Sequence, residues 1–75
     1  MHKLSARQQI VLEAIKLFIV THHYPPTVRE IAEMVGVTST KIVLEYLERL
    51  RREGLVSWEE GRPRTLKIIH SEMTA

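Results

Sequence analysis

The sequence contains no cysteine and no long hydrophobic run. Without cysteine, the 75-residue chain can form neither disulfide bonds nor a thiolate metal site. The longest apolar run, from Leu17 to Val20, is far too short to cross a bilayer. The first nine residues, MHKLSARQQ, lack the apolar stretch and the small-residue cleavage site of a secretory signal. These absences predict a cytoplasmic protein with no membrane contact.

The composition fits one small folded domain. Hydrophobic residues make up 44% of the chain, which is ordinary for a globular fold and too high for a disordered tail. So short a chain buries little core and stays close to the stability margin, where self-association helps. The net charge of +2, from 11 basic and 9 acidic residues, permits a nucleic-acid partner without requiring one.

A capping box predicts helix 1, which has an unusually large apolar surface. Ser5 followed by Gln8 is the pattern that opens a helix, and the helix should continue to about residue 21 or 22. At about 100° per residue, one apolar face contains Val11, Ala14, Ile15, Phe18 and Ile19. Ile10 and Leu17 lie on one flank of that face and Leu12 lies on the other, while Val20 lies within the polar stripe of Gln9, Glu13 and Lys16. A three-helix core does not usually cover so much apolar surface.

The segment HHYPPT predicts a break, and a second, shorter helix follows it. Its two prolines lack backbone donors and push the residue before each of them away from the helical region. Thr27 and Glu30 repeat the capping box, which places helix 2 at about Val28 to Val35. Gly36 should end the helix, because glycine adopts the left-handed conformation at least cost. The predicted core residues of helix 2 are Val28, Ile31, Ala32 and Val35.

Helix 3 and a β-hairpin complete the pattern. Ser39 or Thr38 can cap helix 3, which should run to about Glu53, with Gly54 beyond its end. Its predicted core residues are Val43, Leu47 and Leu50, with Tyr46 beside them. The opposite face contains Lys41, Glu45, Glu48 and Arg52. The segments LVSWEE and TLKII predict two short strands around GRPR.

This order of elements predicts a fold that is mainly α with a small β-hairpin, a three-helix winged helix-turn-helix. The domain should cover residues 1–70, followed by a polar tail over residues 71–75. In a helix-turn-helix, the second helix supports a projecting helix that fits the DNA major groove, where each base pair presents distinct donors and acceptors. The capped helix N-terminus suits a phosphate. The hairpin would be a wing, with Arg62 and Arg64 at its tip and Lys67 beyond.

Several stretches together resemble the N-terminal DNA-binding domain of the LexA family, the repressors of the bacterial SOS response. They are LSARQQIVLEAI, YPPTVREIAEMVGV, Ser39 and LERLRREGLV, and the resemblance spans about residues 4–69. It implies a winged helix-turn-helix that binds a palindromic operator as a dimer and blocks transcription.

Two features depart from that family. LexA proteins have a second domain, whose Ser-Lys dyad cleaves the hinge when RecA signals DNA damage, and these 75 residues end before it. Self-cleavage and the main LexA dimer interface are therefore not expected here, whether the chain is a cut-out domain or a stand-alone relative. LexA members also generally have small or polar residues where helix 3 has Thr40, Lys41, Ile42 and Leu44, so we expect an operator that differs from the SOS box.

The candidate DNA contacts fall into two groups. The predicted base-reading residues are Ser39, Lys41, Ile42, Leu44 and Glu45. The predicted backbone contacts are Arg7, Thr27, Arg29, Thr40, Arg52, Arg62 and Arg64. Lys41 would read a guanine or bind a phosphate, unless it is simply solvated. Arg62 and Arg64 are favoured as backbone contacts because side chains at a hairpin tip do not pack in the core. Ser39 can both cap helix 3 and contact DNA.

Some of these side chains have a plain structural alternative. Glu45 would accept a hydrogen bond from cytosine, or pair with Arg49 one turn further along the helix. Ile42 or Leu44 would contact a thymine methyl group, or Leu44 would pack at the edge of the core and leave Ile42 simply exposed. Trp58 is expected to anchor the hairpin on the helices rather than to stack on a nucleotide.

The near balance of basic and acidic residues favours DNA binding by a dimer over binding by a monomer. From Lys41 to Arg64 there are six basic and five acidic residues, which predicts modest affinity of a lone monomer for DNA. Two-fold pairing would double the contacts. We expect Ile10, Leu17 or Val20 to contribute to a homodimer or partner contact; the alternative is burial under the wing and tail.

The sequence gives little support for an enzyme, a small-molecule site or a metal site. The sequence has no nucleophile and base at a recognisable spacing and no phosphate-binding glycine loop, so neither an enzyme nor a small-molecule site is expected. His22 and His23 diverge by about 100°, and His2 and His70 are distant in sequence, so no metal or other cofactor is expected. The competing hypothesis is a small interaction module that binds a host repressor or RNA polymerase, which the apolar helix 1 favours.

Overall fold

The computed structural model describes residues 5–69, which form three helices followed by a two-stranded antiparallel hairpin. In the hairpin, Val56 pairs with Ile68 and Ser57 pairs with Lys67. The predicted fold class is therefore confirmed, while the predicted tail over residues 71–75 lies outside the described residues. In chain order the elements are α1 Ala6–His22, α2 Val28–Val35, α3 Thr40–Arg52, β1 Val56–Ser57 and β2 Lys67–Ile68.

Both predicted capping boxes are formed. The Ser5 hydroxyl accepts a hydrogen bond from the Gln8 N–H at 3.2 Å, and the Gln8 side chain accepts one from the Ser5 N–H at 2.9 Å. Thr27 and Glu30 repeat the same pair of bonds at 3.2 and 2.9 Å. A cap of this kind stabilises a helix by about 1 kcal/mol, because it satisfies N–H groups that have no partner inside the helix.

Side chains from all three helices and from the hairpin meet in one core. The predicted core residues of α3, Val43, Leu47 and Leu50, are all buried. The other buried apolar residues are Val11, Leu12, Ile15, Phe18, Ile31, Ala32, Val56 and Leu66. Leu12 therefore belongs to the core rather than to a flank, whereas Val28 and Val35 are only half-buried against it.

The outward face of α1 remains apolar and exposed. Ile10, Leu17 and Val20 keep 55%, 65% and 71% of their surface accessible, so no part of residues 5–69 buries them. The alternative of burial under the wing is wrong for the described residues, because the core takes up only the opposite face of the helix. Within the same residues, no helix is both long and apolar enough to span a membrane.

Candidate nucleic-acid interface

The turn between α2 and α3 is held by backbone bonds at a glycine. Gly36 has a φ of 77°, and its N–H donates to the Ala32 carbonyl at the end of α2. The Val37 N–H donates to the same carbonyl at 2.9 Å, and the Val37 side chain packs against the core. These bonds close α2 and turn the chain into α3, as in a helix-turn-helix.

The first half of α3 stands on the surface. Ser39 caps the helix, with its hydroxyl accepting from the Ile42 N–H at 3.4 Å, so Ser39 rather than Thr38 takes the predicted capping role. Val43 is fully buried and fixes the rotation of the helix. At about 100° per residue, Lys41 and Glu45 then point away from the core.

Ile42 and Leu44 lie on the two flanks of that exposed turn, and each keeps 41% of its surface accessible. Leu44 also lines a cleft of about 60 Å³ between α3 and the wing, together with Trp58, Arg62 and Leu66. Leu44 therefore combines packing at the core edge with exposure. Four of the five predicted base-reading residues are thus exposed on the first half of α3, and Ser39, which caps it, is half-buried; their contacts with bases stay a prediction.

The outer face of α3 presents cations that are not neutralised internally. Within residues 5–69, Lys41, Arg49 and Arg52 form no ion pair, so the suggested pairing of Glu45 with Arg49 is absent from the described residues. Glu45, Arg49 and Arg52 are all exposed and border one shallow depression. These side chains are available to a ligand that covers α3.

Other predicted backbone contacts are spread around the helix-turn-helix. Arg29 and Thr40 are exposed and line an open depression beside the α2–α3 turn. Thr27 is half-buried, and its hydroxyl is used in the α2 cap. Arg7 is exposed in the first turn of α1, where it borders an apolar groove with Tyr46. Arg29 and Thr40 therefore lie nearest the start of α3.

The two arginines at the wing tip have different surroundings. The Arg62 side chain is 75% exposed, and its Nε lies 3.7 Å from a Glu59 carboxylate oxygen, a weak pairing in solvent. Arg62 also borders the cleft that contains Val28 of α2 and Leu44 of α3, so it lies on the side of the wing that faces the helices.

Arg64 turns back toward α2. Its two terminal nitrogens donate to the two carboxylate oxygens of Glu30 at 3.0 and 2.9 Å, and one of them also donates to the Pro25 carbonyl at 3.1 Å. The guanidinium lies over the Tyr24 ring, 4.8 Å from its centre. Hydrogen bonds from Arg64 and from the Thr27 N–H lower the pKa of Glu30 below its usual value. The tip residue thus has an internal partner that sequence reasoning missed, and its DNA contact stays a prediction.

Trp58 joins the hairpin to α3. The Arg51 guanidinium stacks 4.0 Å from the centre of the Trp58 ring and donates to Glu48 at 2.9 Å and to Glu60 at 3.0 Å. The Trp58 N–H also donates to Glu60, at 3.1 Å. The hydrogen bond to Glu60 raises the pKa of Arg51. The predicted anchoring role of Trp58 is confirmed, and only the isolated tryptophan signalled it in the sequence.

The histidines serve local packing. The His22 ring stacks on Phe18 with 4.0 Å between centres, and its Nδ1 lies 3.2 Å from the Phe18 carbonyl. His23 ends α1 with a φ of 67°. His2 and His70 lie outside the described residues. Among residues 5–69 no three acidic or histidine side chains gather as a metal site would require.

Comparison with known proteins agrees with this geometry. The family described as LexA DNA binding domain matches residues 1–65. The LexA repressor of Geobacillus thermodenitrificans is 45% identical over 74 residues, which are 99% of this chain and 36% of that protein. That of Exiguobacterium sp. is 42% identical, over 97% of this chain and 35% of that protein.

The LexA repressor of Acetivibrio thermocellus is 41% identical over 95% of this chain and 33% of its own length. The chain thus spans about a third of the length of the relatives it matches. A family match over residues 1–65, on three helices and a hairpin arranged as a winged helix-turn-helix, establishes that this chain belongs to the LexA DNA-binding domain family.

Proposed function

We propose that this chain is a sequence-specific repressor that binds a palindromic site in double-stranded DNA in the cytoplasm. In this proposal α3 lies in the major groove and the wing lies on the sugar-phosphate backbone. The observation that carries it is the exposed first half of α3, held on the core by Val43 and capped by Ser39. A helix that projects in this way fits the major groove, and the named relatives are repressors.

The side chains fall into two groups, one that would contact bases and one that would contact the DNA backbone. Lys41 and Glu45, which point away from the core, would contact base edges, with Ile42 and Leu44 placed to touch thymine methyl groups. Arg62 would contact the backbone from the wing, and Arg29, Thr40 and Arg52 from the helix-turn-helix. Sequence preference would come from the first group and most of the salt dependence from the second.

The outward face of α1 supports a homodimer. Ile10, Leu17 and Val20 lie on the side of the helix away from the core, so pairing there leaves the packing of α3 untouched. Glu13 is exposed among these three side chains, and Lys16 is exposed beside them. If two copies of α1 pack antiparallel about a two-fold axis, Glu13 of each copy faces Lys16 of the other. Two wing-and-helix surfaces would then read the two halves of a palindrome.

Selection from random duplexes tests this function. Duplexes retained by the wild-type chain at low salt should be enriched in a palindrome, and binding should fall steeply as salt is raised. The matched control is a Lys41→Ala, Glu45→Ala double variant, which leaves the core intact and should lose the enrichment. If the wild-type chain enriches no sequence, the proposed DNA function is wrong and a protein partner becomes the better explanation.

A further inference from the structure

The wing tip is attached to the helical body at two places. Directly after β1, Trp58 stacks with Arg51 of α3. On the other side of the tip, Arg64 reaches 34 residues back along the chain to Glu30, with two parallel hydrogen bonds of 3.0 and 2.9 Å. Two-point contact between a guanidinium and a carboxylate fixes both distance and orientation, which a single charge contact does not.

Between these two attachments, hydrogen bonds of one side chain close the wing tip into a compact loop. The Thr65 hydroxyl accepts from the Glu59 N–H at 2.9 Å and donates to the Arg62 carbonyl at 3.0 Å. Arg64 itself has a φ of 60°, a conformation that non-glycine residues adopt at a cost unless their surroundings hold them there. Its bonds to Glu30 and Pro25 and its stacking on Tyr24 supply that restraint.

Glu30 serves two elements with one carboxylate. Its Oε1 accepts from the Thr27 N–H at 2.9 Å in the α2 cap, and from Arg64 at 3.0 Å. The start of α2 and the tip of the wing are therefore joined through a single side chain. Arg62, two residues before Arg64, is carried by the same short segment and borders the α3 cleft.

We propose that Arg64 is a positioning residue, which fixes the wing tip against the start of α2 and thereby places Arg62 beside α3 for DNA binding. The inference rests on the proposed DNA-binding function. It assigns the guanidinium of Arg64 to Glu30 and leaves the direct phosphate contact at the wing to Arg62.

Glu30→Gln separates positioning from direct contact. Glutamine keeps the α2 cap, because Gln8 makes the same bonds at the start of α1, but it loses the charge-assisted pair with Arg64. If Arg64 touches phosphate directly, removal of a nearby negative charge should tighten binding to DNA. If Arg64 positions the wing, the same substitution should weaken binding by about three- to tenfold.

The experiment measures binding to a duplex that carries the site selected by the wild-type chain, at several salt concentrations and well below the unfolding temperature of each variant. Arg64→Lys should weaken binding about as much as Glu30→Gln does, since lysine retains the charge without the two-point geometry. Arg62→Ala should reduce by about 1 the slope of log binding constant against log salt concentration. The double variant Glu30→Gln, Arg62→Ala should bind DNA no more weakly than Arg62→Ala alone. A loss that acts only through stability would not show this non-additivity.

Tighter binding by Glu30→Gln, full binding by Arg64→Lys, or additive losses in the double variant would each overturn the inference. Failure of the wild-type chain to select any duplex would instead contradict the proposed function. In that case, amide hydrogen exchange over residues 59–65 tests whether Glu30 and Arg64 hold the wing tip against α2. Faster exchange in Glu30→Gln than in wild type supports the attachment, and equal exchange rejects it.

Discussion

The start of α3 and the outward face of α1 are both exposed, but they differ in chemistry. The start of α3 mixes Lys41 and Glu45 with two half-exposed aliphatic side chains. The outward face of α1 presents Ile10, Leu17 and Val20, with Glu13 among them and Lys16 beside them. Mixed donors, acceptors and methyl groups suit base edges, whereas exposed aliphatic side chains suit another protein. This difference in chemistry is the reason for proposing a different partner for each surface.

The largest expected effect tests the α1 side of this comparison. Leu17→Glu places a charge in the proposed dimer interface twice, once per copy. Loss of two buried leucine contacts should weaken self-association by about 3 kcal/mol or more, roughly 100-fold. Light scattering over a range of concentrations measures it. Lys16→Ala, which removes the proposed pairing with Glu13 of the other copy but leaves the apolar residues in place, should weaken self-association less. A wild-type chain that is monomeric at concentrations where DNA is bound would remove the dimer proposal.

The α3 side is tested by Lys41→Ala. If Lys41 reads a base, the variant should bind the selected duplex about 1–3 kcal/mol more weakly and lose preference at one base pair. If Lys41 binds phosphate, all duplexes should weaken alike and the salt slope should fall by about 1. Gel shifts with the selected duplex and a scrambled one distinguish these results. Unchanged affinity for both duplexes would exclude either role.

The turn that supports α3 gives a smaller effect. Gly36→Ala should lower the free energy of unfolding by about 1–2 kcal/mol, because alanine resists the left-handed conformation. Apart from the adjacent residues, no atom of the described part of the chain lies within 4 Å of the added methyl group, so a clash with packed neighbours does not contribute. Chemical denaturation measures the change. Gly36→Asn, which tolerates the same φ better, should lose less; equal losses would point to another cause.

The smallest effect concerns the wing attachment and pH. Arg64 lowers the pKa of Glu30 below its ordinary 4.5 in the folded state, so the pair stabilises the fold above that pH. The contribution should fade as the pH falls through the lowered pKa. The difference in unfolding midpoint between wild type and Glu30→Gln should therefore shrink toward acid pH. In an Arg64→Ala background the same difference should depend less on pH, and an unaltered dependence would contradict this account.

The positions of the helices follow from the sequence because the signals that start and end a helix are local. Ser5 with Gln8, and Thr27 with Glu30, are three residues apart, and each pair forms the bonds that the pattern requires. The strands were harder to place. The segments read as strands are five or six residues long, yet only two residues of each pair in a ladder. Only Val56 and Leu66 of the hairpin are buried, and beyond the short ladder the Thr65 hydroxyl closes the tip through bonds to Glu59 and Arg62.

The candidate site was predicted in part. The exposed positions of Lys41 and Glu45 follow from helical periodicity once Val43 is assigned to the core. The double role of Leu44 does not, because the cleft that it lines is completed by Trp58 and Arg62 from the hairpin. The partner of Arg64 was missed for a similar reason, since no periodic pattern connects the wing tip with α2.

The amino-acid sequence by itself determined the number, order and ends of the helices, and the family. Capping bonds, the glycine turn and the spacing of apolar residues act over three or four positions, so they can be read directly from the chain. Only the tertiary structure decided that Arg64 meets Glu30 and that, within residues 5–69, one face of α1 is left uncovered. Both outcomes depend on where segments distant in sequence pack, and in this small domain the other helices and the hairpin pack against one side of α1.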